Sequence, residues 1–172
     1  QDQCDDILIG APSKDSSRGA IYVIYGKVKT SATNVALGPS LDPLDTGFRV
    51  MGETTSSSFG RSVSNAGDVN GDNFNDIIVG ASGFSGDKGA AYVIYGRLRS
   101  LLSNIALSST PLVPTSTGFS LKGTDGSPYP GRFGWSVSGG GDINNDGFAD
   151  MLVGANDEGT GHGKVYVIYG RS

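Results

Sequence analysis

Hydrophobic residues in this chain fall into short runs that end at glycine, and the same runs return along the sequence. Runs of this length, rich in β-branched and aromatic residues and bounded by glycine, predict β-strands. Two types of run each occur three times. They are the segments at 5–12, 75–82 and 149–156 (DDILIGAP, NDIIVGAS, ADMLVGAN) and those at 19–26, 89–96 and 163–170 (GAIYVIYG, GAAYVIYG, GKVYVIYG).

Two further motifs show that a longer unit is repeated. TGFRVMGE at 46–53 returns as TGFSLKGT at 117–124, and FGRSVS at 59–64 returns as FGWSVS at 133–138. The copies of the first motif type start at residues 5, 75 and 149, so the period is 70 residues and then 74. A unit of this length with four strand-like runs predicts one four-stranded antiparallel sheet per repeat.

Both faces of the tyrosine-rich strands are apolar. In residues 92–95 (YVIY), neighbouring positions point to opposite faces and all four are apolar, so we expect cover on both sides. The blades of a β-propeller pack face to face and require strands of this kind. The predicted fold is an all-β, partial β-propeller spanning 1–172, with about two and a half four-stranded antiparallel blades. The predicted blades are 1–45 (incomplete), 46–116 (full) and 117–172 (incomplete).

Two and a half blades are too few for a closed ring, because propellers typically have four to eight. We expect these residues to be a piece of a longer polypeptide that carries the remaining blades. Closure of the ring by other copies or other chains is the alternative.

A polar loop with regularly spaced oxygen ligands follows the first Phe-Gly run. Its side chains stand at relative positions 1, 3, 5 and 9, the backbone carbonyl at position 7 is the natural extra ligand, and odd spacing in a tight loop turns oxygens inward. Position 6 is Asn73, which tolerates the left-handed conformation of a sharp turn. The predicted Ca²⁺ ligands are Asp68, Asn70, Asp72, Phe74 (carbonyl) and Asp76.

The pattern returns once in full, with Gly147 at position 6. The second set of predicted ligands is Asp142, Asn144, Asp146, Phe148 (carbonyl) and Asp150. An EF-hand does not fit, because it requires Glu at position 12 and these loops have Val79 and Val153 there, inside predicted strands. We therefore place both loops at the tips of β-hairpins. An Asx-rich turn without metal is the alternative, and Mg²⁺ or Mn²⁺ could replace Ca²⁺ at oxygen ligands.

Charge and composition narrow the function classes. The net charge is −4, and the two loops contain six Asp, so the acidity belongs to the loops; no basic patch favours nucleic acid. No apolar run is long enough for a membrane span. Cys4 is the single cysteine, so it is either a small half-buried side chain or the partner of a cysteine outside these residues.

Catalytic chemistry has little support in the sequence. The single histidine, His162, lies in a glycine-rich loop with no second histidine to assist it, so we expect no enzyme activity within these residues. Glycan recognition is an alternative, with Trp135 or Tyr129 as a stacking platform, although we expect Trp135 primarily to pack in the core. A catalytic domain elsewhere in a longer, secreted hydrolase is another alternative.

Phe-Gly, then Gly-Asp-Val-Asn-Gly-Asp, then Ile-Val-Gly-Ala resembles the FG-GAP repeat of integrin α-subunit propellers. Asn104-Ile-Ala-Leu-Ser followed by Thr117-Gly-Phe resembles microbial integrin-like FG-GAP proteins most closely. The resemblance implies a Ca²⁺-binding propeller of an extracellular or cell-surface protein, acting in adhesion, assembly or protein recognition. It also implies a third, partial metal loop near Asp2 and Asp6, where Gln3 and Cys4 depart from the pattern.

Overall fold

The computed structural model of the chain describes residues 4–27, 35–38, 40–124 and 131–171. Most regular structure in these residues is β-strand, in agreement with the predicted all-β class. The strands are β1 (Ile7–Ala11), β2 (Ala20–Ile24), β3 (Gly47–Met51), β4 (Phe59–Gly67), β5 (Asp76–Ala81), β6 (Ala90–Ile94), β7 (Ile105–Ala106), β8 (Gly118–Lys122), β9 (Phe133–Gly141), β10 (Asp150–Ala155) and β11 (Lys164–Ile168).

Where the chain is described, helical structure is limited to single turns. They are α1 (Lys14–Ser17), α2 (Phe84–Asp87), α3 (Glu158–Gly161) and a 3-10 turn at Arg99–Leu101. Among the described residues, no helix has the length and apolar character that crossing a bilayer requires.

The strands form three sheets. Sheet 1 has the order β1-β2-β3-β7, sheet 2 the order β4-β5-β6-β8, and sheet 3 the order β9-β10-β11. Neighbouring strands are antiparallel except for β3 and β7, which are parallel. With its FG-GAP-type repeats, the chain is a partial β-propeller, as predicted.

The sheet boundaries differ from the predicted blades. The strands of the Thr-Gly-Phe motif, β3 and β8, join the sheet before them, so sheets 2 and 3 begin at the Phe-Gly strands and not at residues 46 and 117. The glycine of the motif provides the physical reason. A Cβ on Gly47 would lie 1.9 Å from the carbonyl oxygen of Val23, and one on Gly118 the same distance from that of Val93. Glycine therefore permits each strand to pair closely with the tyrosine-rich strand that precedes it.

The core lies between the sheets. One buried cluster joins residues of sheet 1, such as Ile21 and Val23, to residues of sheet 2, such as Phe59 and Val79. A second cluster joins sheet 2 to sheet 3 and contains Val93, Ile78, Val137, Met151 and Val153, among others. Sheet 2 is covered on both faces, as its apolar pattern predicts.

Glycine also lets neighbouring sheets approach closely. A Cβ on Gly80 of β5 would lie 2.0 Å from the carbonyl oxygen of Gly134, the glycine of the Phe-Gly step in β9. A Cβ on Gly10 would meet Gly60 in the same way, at 2.1 Å. The two glycines of the repeat therefore meet across each contact between sheets, with no room for a side chain.

Candidate metal-binding loops

Both predicted metal loops lie at the tips of β-hairpins, as the sequence predicts. Loop 1, residues 68–75, connects the antiparallel strands β4 and β5, and loop 2, residues 142–149, connects β9 and β10. Each loop is followed by an aspartate that is the first residue of the next strand, Asp76 or Asp150.

The side chains of loop 1 hold its backbone in a tight turn. The Asp68 carboxylate accepts hydrogen bonds from the backbone amides of Gly71 (2.7 Å), Asp72 (3.1 Å) and Asn73 (2.7 Å). Asp72 accepts one from the Phe74 amide at 2.9 Å and one from the Asn70 side chain at 2.9 Å. These bonds are Asx-type turns, which fix the path of the loop.

Loop 2 repeats this network. Asp142 accepts hydrogen bonds from the amides of Asp146 (3.0 Å) and Gly147 (2.9 Å). Asp146 accepts one from the Phe148 amide at 3.0 Å and one from the Asn144 side chain at 2.8 Å. The two loops thus share their geometry as well as the spacing of their residues.

Two positions in each loop have left-handed backbone. Position 6 is left-handed, as predicted, with φ of 67° at Asn73 and 92° at Gly147. Position 4 is left-handed too, with φ of 77° at Gly71 and 60° at Asn145, which the sequence analysis did not predict. Glycine and asparagine exchange places between the two loops, because both tolerate this conformation.

The aspartate that follows each loop is buried. Asp76 accepts hydrogen bonds from the amides of Val69 (3.0 Å) and Gly96 (2.8 Å), and Asp150 accepts them from Ile143 (2.7 Å) and Gly170 (2.9 Å). Burial raises the pKa of Asp76 to about 6; the bonds from Gly96 and Val69 oppose that shift, and the charges of Asp72 and Asp68 add to it.

The sequence analysis did not predict the hydrogen bond that this aspartate accepts from the glycine after the tyrosine-rich strand. Asp6 makes it too, accepting a hydrogen bond from the Gly26 amide at 2.9 Å. The signal was present, because an aspartate before each Ile-Val-Gly-type run and a glycine after each Val-Ile-Tyr run recur in all three copies. The other predicted residue of the partial third loop, Asp2, lies outside the described residues.

The donor set suits a hard cation, although the carboxylates are occupied with the loop backbone. Among the described residues, no three His, Cys, Asp or Glu side chains are grouped as a metal centre. A carboxylate has about four lone-pair positions, and from the described part of the chain Asp72 and Asp76 each accept two hydrogen bonds. Lone pairs therefore remain on a set of ligands that contains oxygen alone.

The two loops differ in their surroundings. Loop 1 packs against the end of loop 2 and sheet 3: the carbonyl of Asp68 accepts a hydrogen bond from the Ala149 amide (2.9 Å), and that of Val69 accepts one from the Arg171 amide (2.9 Å). Val69 is buried, whereas its counterpart Ile143 is half exposed. The bond from Ala149 joins the two loops, but among the described residues only loop 1 has the further bond from Arg171 and a buried second residue, Val69.

The other candidate residues make different contacts. Trp135 is half-buried, and the Arg61 guanidinium lies 3.5 Å from the centre of its ring, with that of Arg132 at 5.5 Å. A face covered by arginine is unavailable for stacking on a sugar. Tyr129, the second residue predicted for that role, lies outside the described residues.

His162 lines an open cavity of about 410 Å³ with Ser136, and no hydrogen bond joins it to another described residue.

Comparison with known proteins gives these observations a context. A model of the FG-GAP repeat matches residues 59–94 and 133–168. The chain is 31% identical to integrin alpha-PS2 of Drosophila melanogaster over 90% of its length and 10% of the relative's. It is 30% identical to integrin alpha-4 of Xenopus laevis over 96% of its length and 14% of the relative's. Integrin alpha pat-2 of Caenorhabditis briggsae is 32% identical over 90% of the chain and 12% of that protein.

The chain thus spans between a tenth and a seventh of the length of these relatives. The matched segments include both hairpin loops and the strands on either side of them. From its repeats, its propeller sheets and these relatives together, the chain is a partial β-propeller that contains FG-GAP repeats and is similar to integrin α subunits at about 30% identity.

Proposed function

We propose that the chain is a calcium-binding, non-catalytic propeller module of an extracellular or cell-surface protein, serving adhesion, assembly or protein recognition. The observation that carries the proposal is the identity of the two hairpin loops. Both have the same oxygen-bearing residues at the same spacing, five matching Asx-type hydrogen bonds and left-handed backbone at the same two positions. Turn preference alone requires neither the repetition nor the third aspartate.

Five residues of each loop would hold the cation. They are Asp68, Asn70, Asp72, the carbonyl of Phe74 and Asp76, and in loop 2 Asp142, Asn144, Asp146, the carbonyl of Phe148 and Asp150. A bound Ca²⁺ would draw the three aspartates of each set towards one point and offset both their mutual repulsion and the burial of the last carboxylate. Because the ordered loop binds better than the unfolded chain, Ca²⁺ should stabilise the fold by mass action.

The proposed context follows from the relatives. The named relatives are integrin α chains, and a propeller module in such a protein presents loops to a protein partner or to further blades. A location outside the cell also suits Ca²⁺ sites, because extracellular modules bind Ca²⁺ weakly, with a Kd of about 10⁻⁴–10⁻³ M. His162 has no side-chain partner among the described residues that would support a catalytic role.

Isothermal titration calorimetry with Ca²⁺ tests the proposal. The unchanged chain should bind two ions. Asp72→Asn and Asp146→Asn keep the size of the side chain and remove one charge, so each should leave one measurable site. Asp5→Asn is the matched control, because Asp5 is an exposed aspartate outside both loops, and it should leave two.

Thermal melting completes the test. Ca²⁺ at 100 times its Kd should add about 2.7 kcal/mol to the free energy of unfolding for each site that is filled. With Ca²⁺, Asp72→Asn should lose part of this gain. With chelator, the variant and the unchanged chain should melt at the same temperature. No calcium-dependent heat in the unchanged chain, or an equal loss of stability with and without chelator, would contradict the proposal.

A further inference from the structure

The linker of the second repeat does more than connect strands: it adds a strand to sheet 1. Residues 105–106 form β7, which pairs in parallel with β3 at Val50 and Met51. The amide of Leu107 donates a hydrogen bond to the carbonyl of Met51 at 3.1 Å. The linker therefore leaves sheet 2, reaches back to the neighbouring sheet and returns.

Asn104 secures this added strand at its start. Its side-chain oxygen accepts hydrogen bonds from the amides of Arg49 (2.9 Å) and Leu41 (3.4 Å), and its side-chain nitrogen donates to the carbonyl of Leu41 at 2.8 Å. One carboxamide thus satisfies the outward-facing amide of β3 and both backbone groups of Leu41. Neither Asp nor Ala could make this set of bonds, because it needs a donor and an acceptor.

The segment itself is repeated. Asn104-Ile105-Ala106-Leu107 corresponds to Asn34-Val35-Ala36-Leu37 in the first repeat, 70 residues earlier. Leu107 is 4% exposed where the segment is paired, whereas Leu37 is 41% exposed. Pairing with a sheet edge accounts for the burial of this motif.

The edge that should receive such a segment occurs a second time, on β8. Ser120 stands opposite Tyr92 as Arg49 stands opposite Tyr22, so its amide points outward like that of Arg49. Leu112 precedes the Thr-Gly-Phe motif by the same distance as Leu41. Among the described residues, no strand pairs with the outer edge of β8. The consequence is visible in burial, since β3 is mostly buried and β8 mostly is not.

We propose that the outer edge of β8 is a docking site for an extended Asn-(Ile/Val)-Ala-Leu segment from the linker of a further FG-GAP repeat. The segment pairs in parallel with Leu121 and Lys122, and its asparagine bonds to the amide of Ser120 and the backbone of Leu112. The existing contact of β7 with β3 is the precedent within the same molecule. This site involves neither metal loop, so its occupation is independent of Ca²⁺.

The test uses the whole, isotope-labelled chain and a synthetic peptide that copies residues 101–109. The peptide should shift the NMR amide signals of Ser120, Leu121 and Lys122 saturably, with the micromolar-to-millimolar Kd expected of a small contact. A peptide with the Asn104→Ala change should bind at least about tenfold more weakly, since three hydrogen bonds at about 0.5–1.5 kcal/mol each are lost. Ser120→Pro in the chain removes the receiving amide and should have the same effect.

Several outcomes would overturn the proposal. They are no shift at Ser120–Lys122, equal binding by the altered peptide, and shifts confined to Gly47–Met51, which would mean that the peptide replaces β7. Shifts that grow with the concentration of the chain alone would identify a second copy as the occupant and not a further repeat. The peptide comparison leaves the protein unchanged, so it stands even if Ser120→Pro fails to fold. The peptide is titrated once with calcium and once with chelator. Because the edge of β8 involves neither metal loop, peptide binding should be the same in both, whether or not the calcium proposal holds.

Discussion

Strands β6 and β11 have nearly the same sequence and opposite surroundings. Their segments read GAAYVIYG and GKVYVIYG, yet every residue of β6 is buried and none of β11 is. The difference is that sheet 2 lies between two sheets and sheet 3, in the described residues, has one neighbour. Burial of this motif therefore depends on the adjacent sheet. The repeat encodes a strand with two apolar faces, which only a stack of sheets can satisfy.

The same contrast separates the two hairpin loops. Loop 1 is held at its start by backbone hydrogen bonds from Ala149 and Arg171, whereas among the described residues loop 2 shares only the first of these bonds, at its last residue. Their own Asx networks are nearly alike. Substitutions at matched positions can therefore separate what the motif contributes from what its neighbour contributes.

A charge in the middle of the two strands should give the largest difference. Val93 of β6 is 0% exposed and Val167 of β11 is 44% exposed at the corresponding position. Val93→Asp buries an unpaired carboxylate, so the free energy of unfolding should fall by about 4 kcal/mol or more. Val167→Asp leaves the carboxylate in water and should cost less than about 1 kcal/mol. Guanidinium denaturation measures both, and similar losses would refute the interpretation of the two faces.

The paired glycines offer a finer test of the contact between sheets. A Cβ on Gly80 would meet the backbone oxygen of Gly134 at 2.0 Å, whereas a Cβ on Gly154 would meet only the Ser136 side-chain oxygen, at 2.3 Å. Backbone cannot move aside as a side chain can, so Gly80→Ala should cost about 3 kcal/mol and Gly154→Ala less than about 1 kcal/mol. Denaturation curves in chelator give both values, and equal costs would mean that the sheets yield at Gly134.

The smallest expected difference concerns calcium. A braced loop loses less freedom on binding, so loop 1 should bind Ca²⁺ about tenfold more tightly than loop 2, a difference of about 1.4 kcal/mol. Asp146→Asn isolates loop 1 and Asp72→Asn isolates loop 2, and calorimetry of the two variants compares them directly. Equal affinities would show that the Asx network alone determines binding.

The sequence was informative wherever a local rule decides the structure. Repetition and turn chemistry predicted the strands, the hairpin tips and the left-handed residues at Asn73 and Gly147. The left-handed position at Gly71 and Asn145 was missed, although both residue types favour it. The metal-ligand role of the loop residues stays a prediction.

Features that depend on distant pairing were not predicted. The strands at Gly47 and Gly118 join the preceding sheets because of backbone contacts with Val23 and Val93, which residue order does not reveal. Strand β7 has two residues, too few for any periodic signal, and its existence depends on the Asn104 side chain meeting Leu41 and Arg49. Both are properties of the assembled sheets.

Strand β7 is synthesised long after its partner strand β3, and this order has a consequence for folding during synthesis. In the described residues, three strands of sheet 1 lie within residues 7–51, but the fourth, β7, lies at residues 105–106, beyond most of the second repeat. Residues as far as 106 must leave the ribosome before β7 can pair with β3, and contacts so distant in sequence form slowly. Until then the outer edge of β3 is an unpaired strand, open to chaperones or to self-association. Pairing at the outer edge of β3 is thus coupled to the translation of the second repeat.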